Sequence, residues 1–331
     1  MLSRVAEHLF WIGRYMERAE NVARLIDAAR RMAALPGETG RPLTNEWSSI
    51  LIAAGAKETF GPEYEHATAE ETAEHLLFAI ENPSSAWRCI EAARENARSI
   101  RFALTRECWE VLNTAWSEMR FMQRSAAVGA ALSNTIDWVK SRSAEFRGAV
   151  YGTMIQDDAF HFLRMGAAIE RIDYTARFID VKYHVLLPSL GDIGSSTDHY
   201  QWLSLLQAAA GHRAYLHATR SEITARGVAE FLILHPAFPR SIRFNVDELC
   251  EHVGELAEFY ERPPECADFV KSFEQSIAGR TIDEIFAHGL HEFLTDTIAA
   301  NYDVANRLAA SYGFAEFISD ASADDEESLT Q

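Results

Sequence analysis

The stretch "HLFWIGRYMERAENVARLID" (His8–Asp27) returns 153 residues later as "HFLRMGAAIERIDYTARFID" (His161–Asp180), with eight of the twenty paired positions identical. Four of those eight are charged: Glu17, Arg18, Arg24 and Asp27 match Glu170, Arg171, Arg177 and Asp180. At about 100° per residue, Leu9, Ile12, Met16, Ala19, Ala23 and Ile26, with Trp11, Tyr15, Val22 and Leu25, form one broad apolar face of a helix. Gly13, Glu17, Glu20, Arg24 and Asp27 gather on one flank of it, within about 80° of arc. Their counterparts are Gly166, Glu170, Asp173, Arg177 and Asp180.

The simplest account of the flank is an intrahelical ladder. Glu20 with Arg24, and Asp173 with Arg177, stand at i,i+4 in the favourable order, worth ~0.2–0.5 kcal/mol each. That ladder leaves Gly13 and Gly166 unexplained, because a mid-helix glycine costs about 1 kcal/mol against alanine and usually marks the close approach of another backbone or a ligand. A tight crossing of the two copies at these glycines would gather Glu17, Glu20, Glu170 and Asp173 near Arg24 and Arg177 in a partly buried network. A structural network is favoured over a catalytic or ligand site, since ion-pair networks perturb acids without doing chemistry. A metal site is disfavoured: Glu17-x-x-Glu20 and Glu170-x-x-Asp173 lack the histidine at i+3 of helical-bundle metal sites. His8 and His161 lie roughly 13 Å away along each axis and read as packed, hydrogen-bonded core residues.

The repeat extends beyond these segments. Trp47, Ser49, Leu51, Ala53 and Ala54 recur as Trp202, Ser204, Leu206, Ala208 and Ala209, Pro83 recurs as Pro236, and Arg88 as Arg243. Helical periodicity runs through nearly the whole chain, over about 3–34, 43–55, 67–81, 85–122, 124–149, 156–186, 199–226, 227–235, 240–260, 265–277 and 281–312. No convincing strand run interrupts it. Pro36, Gly37 and Gly40 stop the first copy, and Pro188, Gly191 and Gly194 stop the second. The expected architecture is all-α: one large bundle over 1–318 whose halves, about 1–150 and 151–318, pack about a pseudo-twofold axis, followed by an acidic disordered tail over 319–331.

Composition narrows the function classes. The 331 residues are 48% hydrophobic, as a globular chain should be, and carry 31 Lys plus Arg against 49 Asp plus Glu, for a net charge of −18. That charge repels phosphate backbones and anionic membranes, which argues against nucleic-acid and lipid-surface binding. Cys89, Cys108, Cys250 and Cys266 follow no zinc or CxxC spacing. No apolar run approaches the roughly 18 residues of a membrane span. With Arg4, Glu7 and Arg14 in the opening turns, unlike a secretory signal, a reducing cytoplasm is the expected setting.

Elsewhere, "HPAFPRSIRFN" (His235–Asn245) puts Arg240, Ser241 and Arg243 at a helix start, and "NPSSAWR" puts Ser84, Ser85 and Arg88 at its equivalent. Free N–H groups beside arginines can take an anion, but serine capping with salt bridges is the favoured account. "HGLHEF" sets His288 and His291 at i,i+3 with Glu284 a turn earlier, a weak metal pattern. Glu91, Arg94, Glu95, Arg98 and Arg101 make another salt-bridged helical face. No phosphate loop, nucleophile elbow or dinucleotide fingerprint is present, and no cofactor is implied.

The segments "MLSRVAEHLFWIGRYMERAENVARLID", "RENARSIR", "MGAAIERIDYTARFID" and "FPRSIRF", in this order, resemble the bacterial alpha-E domain family over nearly the whole chain to about residue 318. The resemblance implies an all-helical domain. It also implies partnership with a circularly permuted ATP-grasp protein, often with a transglutaminase-like protease, in ATP-dependent amide or peptide bond formation. It marks Glu17, Arg18, Glu20, Arg24, Arg94, Glu95, Asn96, Arg98, Glu170, Arg171, Arg177, Arg240, Ser241 and Arg243 as motif positions. In such a system the candidate catalytic acids are Glu17, Glu20, Glu170 and Asp173, which could receive an amine. Arg24, Arg98, Arg177, Arg240, Ser241 and Arg243 could hold a carboxylate or phosphorylated group of a peptide or amino-acid-like ligand. Three functions stay open: a non-catalytic accessory partner, which is preferred; an enzyme with a solvent-reachable cavity walled by Glu17 and Glu170; and a scaffold whose seam is closed to water.

Overall fold

The computed structural model describes residues 1–34, 46–122, 124–185 and 196–314. The expected breaks at Pro36, Gly37, Gly40, Pro188, Gly191 and Gly194, and the acidic tail, lie outside them. Among the described residues the chain is all-helical, with no strand. The first helices are α1 (Ser3–Ala33), α2 (Glu46–Ala53), α3 (Lys57–Phe60), α4 (Ala69–Phe78), α5 (Ala86–Ser99), α6 (Arg106–Met119) and α7 (Gly129–Thr153). There follow α8 (Asp158–Val185), α9 (Ser196–Ala208), α10 (His212–Thr219), α11 (Ala225–Leu234), α12 (Ile242–Phe259), α13 (Ala267–Ala278), α14 (Ile282–His288) and α15 (Leu290–Tyr312).

The repeated segments become α1 and α8, the two helices at the centre of the bundle. A surface helix buries one stripe, whereas a central helix is covered on nearly every side. Leu9, Phe10, Ile12, Ala19, Ala23 and Ile26 of α1, and Phe162, Ile172, Ala176 and Ile179 of α8, are shielded from solvent. At 31 residues α1 is about 46 Å long, enough to run through the whole core. α1 packs most extensively on α8, then on α5 and α7. α8 in turn packs on α12 and α15, while α6 rests on α5 and α13 on α12.

Gly13 and Gly166 set the central crossing. A Cβ on Gly13 would collide with the backbone oxygen of Leu163 and reach Ala167 N at 3.1 Å. A Cβ on Gly166 would collide with the backbone oxygen of Phe10 and reach its Cα at 3.2 Å. Backbone carbonyls cannot swing aside as a flexible side chain can, so only glycine fits at these two points. Two further bonds fasten the outer helices to the same level: Ser143 Oγ of α7 donates to Met16 O at 2.7 Å, and Asn301 Nδ2 of α15 donates to Ile169 O at 3.1 Å.

Several expected helices are shorter in the structure. The single helix over 85–122 breaks at Ile100–Thr105, where Thr105 takes an extended backbone and its hydroxyl accepts from Cys108 N to start α6. The one over 199–226 divides at Ala210, held at φ 55°, and Thr224 caps a fresh start for α11. Gly289, at φ 112°, splits 281–312 into α14 and α15. All four cysteines are free, and Cys89, Cys108 and Cys266 are buried. Among the described residues no helix is long and apolar enough to cross a membrane.

Candidate functional site

The crossing of α1 and α8 carries the flank charges inward, where burial obliges every ion to find partners. Glu17 is 3% exposed and Glu20 fully buried. Glu17 Oε2 accepts from Arg171 at 2.8 Å and Glu17 Oε1 from Arg240 at 2.9 Å, with Arg147 at 3.4 Å from Oε2. Glu20 Oε1 accepts from Arg240 and from Arg24, each at 2.6 Å, and its other oxygen accepts from Arg147. Arg24 reaches on to Ala208 O at 2.7 Å. Asn21 Oδ1 takes a further bond from Arg240 at 3.1 Å.

Glu170 makes a second cluster. Its two oxygens accept from Arg18 at 2.6 Å and 2.9 Å and from Arg14 at 3.1 Å. The two Glu-Arg dipeptides therefore brace each other across the crossing: Arg171 of α8 holds Glu17 of α1, and Arg18 of α1 holds Glu170 of α8.

The flank is divided more sharply than its spacing predicts. Glu17 and Glu20 meet Arg24, but Glu170 joins a different set of arginines, and Asp173 pairs only with Arg177 at 2.8 Å on a partly exposed surface. Exposure on α8 separates the two acids, since the Asp173 side chain is 27% exposed and that of Glu170 7%. Arg98 is on the outer face, paired with Glu95, and Arg243 pairs with Asp247 at 2.7 Å. Ser241 is fully buried and spends its hydroxyl on capping, donating to His235 O at 2.5 Å and accepting from Phe244 N at 3.1 Å. Ser85 does the same at α5, donating to Ala79 O and accepting from Arg88 N.

Arg147 was missed from the sequence, and the convergence of Arg240 on Glu17 and Glu20 was not foreseen. Arg147 lies on α7, outside either repeated segment, and the packing of α7 on α1, fastened by the Ser143–Met16 and Lys140–Asp27 bonds, brings it in. Arg240 stands one residue before the Ser241 cap, and Thr175 Oγ1 of α8 holds its carbonyl at 3.0 Å. The chain turn places its side chain over the seam. The residue in that position before the α5 cap is Ser84, so one cluster has an arginine that the other lacks.

These partners decide the acid–base character. Burial by itself would raise the Glu17 carboxyl, but the charges of Arg171 and Arg240 outweigh it and hold the group far below the usual carboxylate range. The same contest, won by Arg240 and Arg24 for Glu20 and by Arg18 and Arg14 for Glu170, lowers both. All three are fixed as carboxylates at neutral pH. A cavity of about 20 Å³ lies against Glu17, walled also by Ser143, Arg147, Tyr151 and Arg164; Glu170 does not line it. It has room for about one water.

Other expected features also find partners. His8 Nδ1 meets Asn96 Oδ1 at 2.6 Å, and the buried His161 meets His252 at 3.1 Å between Nδ1 atoms. His291 bonds Asp180 at 2.7 Å and His288 lies 3.5 Å from Asp296. Glu284 is the return arm of a capping box with Thr281. Among the described residues no group of three or more His, Cys, Asp or Glu side chains could hold a metal ion.

Residues 1–312 match the Alpha-E family, described as a predicted alpha-helical domain with a conserved ER motif. The chain belongs to the Alpha-E family. The chain's Glu17-Arg18 and Glu170-Arg171 pairs form a reciprocal brace between two central helices. Similar proteins of this Alpha-E chain include an uncharacterised protein of Mycobacterium bovis, 23% identical over 93% of this chain and 36% of its own length. An uncharacterised protein of Mycobacterium tuberculosis is 22% identical, with the same shares covered. The chain thus spans about a third of the length of these curated relatives. No solved structure matches.

Proposed function

We propose that this Alpha-E domain is a non-catalytic accessory partner of an ATP-grasp amide or peptide ligase system, working in a reducing cytoplasm, and that its ER seam is the brace that keeps its docking surface in shape. The observation that carries the reading is the saturation of the seam acids by guanidinium donors. A general acid must hold a proton near neutral pH and touch its substrate, whereas Glu17, Glu20 and Glu170 are ionised, buried and saturated with guanidinium donors. A role without chemistry of its own suits such a domain. The embedding of the same domain in relatives about three times as long further supports work alongside other domains.

The two halves are best read as descendants of one duplicated unit. Phe10 and Leu163 are 153 residues apart, as are Gly13 and Gly166, and as are the carbonyls of Met16 and Ile169 that receive Ser143 and Asn301. The donors Ser143 and Asn301 stand 158 apart, so the offset of 153 holds for the central helices, and it is there that the match supports a pseudo-twofold arrangement.

A partner-facing surface is offered at one end of the bundle. Phe102 and Ile155 stand 80% and 79% exposed on neighbouring turns, joined by the Thr105–Thr153 hydrogen bond at 2.7 Å. Exposed aromatic and aliphatic side chains of this size usually serve contacts. The test is co-purification with a circularly permuted ATP-grasp protein, then an ATP-dependent ligation assay with and without this chain. Capture together with faster or more complete ligation supports the reading, and indifference of both binding and ligation ends it.

A further inference from the structure

The seam around Glu17 and Glu20 is short of acceptors. Four guanidinium groups, Arg24, Arg147, Arg171 and Arg240, close on two carboxylates. Each carboxylate is shared among three of them, so the positive surplus stays inside the bundle. Hydrogen bonding shows the same deficit. Buried N–H and O–H groups without a partner among the described residues include Asn21 Nδ2, Arg164 Nε, Arg171 Nε and Tyr174 Oη, all of which donate. Buried donors left without acceptors cost roughly 1–3 kcal/mol each, so a structure rarely keeps such a group unless something else supplies the acceptor.

The place for that acceptor is the cavity of about 20 Å³ beside Glu17. Arg164, 3% exposed, is among the lining residues and carries an unpartnered Nε, while its terminal nitrogen pairs with Glu248 and its guanidinium lies 4.8 Å from the Tyr151 ring. Arg147 forms another part of the wall, and its partial exposure gives a path from solvent. The Glu17 carboxylate on the same wall already has both oxygens occupied by Arg147, Arg171 and Arg240. The volume admits one small occupant. A water could satisfy a donor but would leave the charge surplus untouched. A monatomic anion accepts from the donor and offsets part of that surplus.

We infer that the cavity between Arg147, Arg164 and Glu17 is a binding site for a halide ion, chloride in the cell, which offsets part of the positive surplus of the seam. The chain's net charge of −18 would not steer an anion toward the surface, so affinity here comes from the local guanidinium surplus. The site is independent of any ligase partner.

The decisive experiment uses the whole chain. Crystals soaked in bromide should show an anomalous peak inside the cavity, in contact with Arg147 or Arg164; water density there with no anomalous signal overturns the inference. In solution, replacing gluconate by chloride at fixed ionic strength should raise Tm saturably, by about 2 °C or more. Equal Tm in both salts overturns it as well. Arg147→Gln should abolish the chloride dependence, whereas Arg106→Gln, on the 82% exposed Arg106, should keep it. If Arg147→Gln does not fold, the bromide soak on the unaltered chain still decides.

Discussion

Replacing Glu17 by Gln keeps the side-chain shape and removes one buried charge. In the folded chain this deprives Arg171 of its carboxylate at 2.8 Å, leaves Arg240 with Glu20 and Asn21 alone, and weakens the hold on Arg147. Breaking a buried pair by removing one partner costs about 3–5 kcal/mol, because the remaining charge stays desolvated. For a chain of this size that converts to a fall in Tm of roughly 6–12 °C. Glu170→Gln should cost less, about 1–3 kcal/mol, since its partner Arg18 is 23% exposed and water can take over part of the lost bonding. Asp173→Asn should fall within about 0.5 kcal/mol, the worth of a partly exposed i,i+4 pair. Urea unfolding followed by circular dichroism measures all three. The Glu17 penalty should also depend on pH. The carboxylate is lowered in the folded chain, so its contribution is complete above the unfolded value of about 4.3 and drains away as pH falls below it. The gap between the native chain and Glu17→Gln should therefore narrow progressively as pH falls below about 4. A Glu17→Gln variant losing under 1 kcal/mol at pH 7, or a flat ranking across the three acids, would refute the buried-brace reasoning.

Gly13→Ala or Gly166→Ala should destabilise the chain by about 3 kcal/mol or more, because the added methyl meets a backbone oxygen across the crossing. A Tm within 2 °C of the native value would contradict the close approach. His161 and His252 supply a second pH effect: burial, with Arg164 and His161 beside it, pushes His252 down to about 3, and burial outweighs the nearby Glu255 and Asp157 to lower His161. Both stay neutral in the fold and charge on unfolding, so stability should fall as pH drops below about 6.5 and His252→Gln should flatten that slope in a urea series. Phe102→Glu with Ile155→Glu should leave Tm within about 2 °C and cut capture of the ATP-grasp protein at least tenfold; unchanged capture removes that end from the interface.

Much of the fold was legible because it rests on signals local to the chain. Apolar positions at helical spacing marked α1 and α8, and Gly13 and Gly166 announced their crossing, since nothing within a single helix calls for glycine there. The breaks at Ile100–Thr105 and Ala210 were not legible. Thr105 is an ordinary helix residue until its hydroxyl is seen on Cys108 N, and Ala210 has no composition that demands a left-handed backbone. At the site, the flank identified Glu17, Glu20 and Glu170 but assigned their partners by sequence neighbourhood. The strongest partners, Arg147, Arg171 and Arg240, arrive from three other places in the chain, and only tertiary packing brings them together. Asp173 and Arg177 had the same spacing as Glu20 and Arg24, yet lie nearer the surface, because α9 covers α1 more fully than α8.

The central claim is that the ER seam holds the domain in shape and performs no chemistry. Its most direct test is the ATP-dependent ligation rate of the partner system supplied with Glu17→Gln at a temperature at least 10 °C below that variant's own Tm, where it is folded. The account predicts a rate within about twofold of that with the native chain, whereas a loss of roughly a hundredfold or more, the worth of a general acid or base, would contradict it.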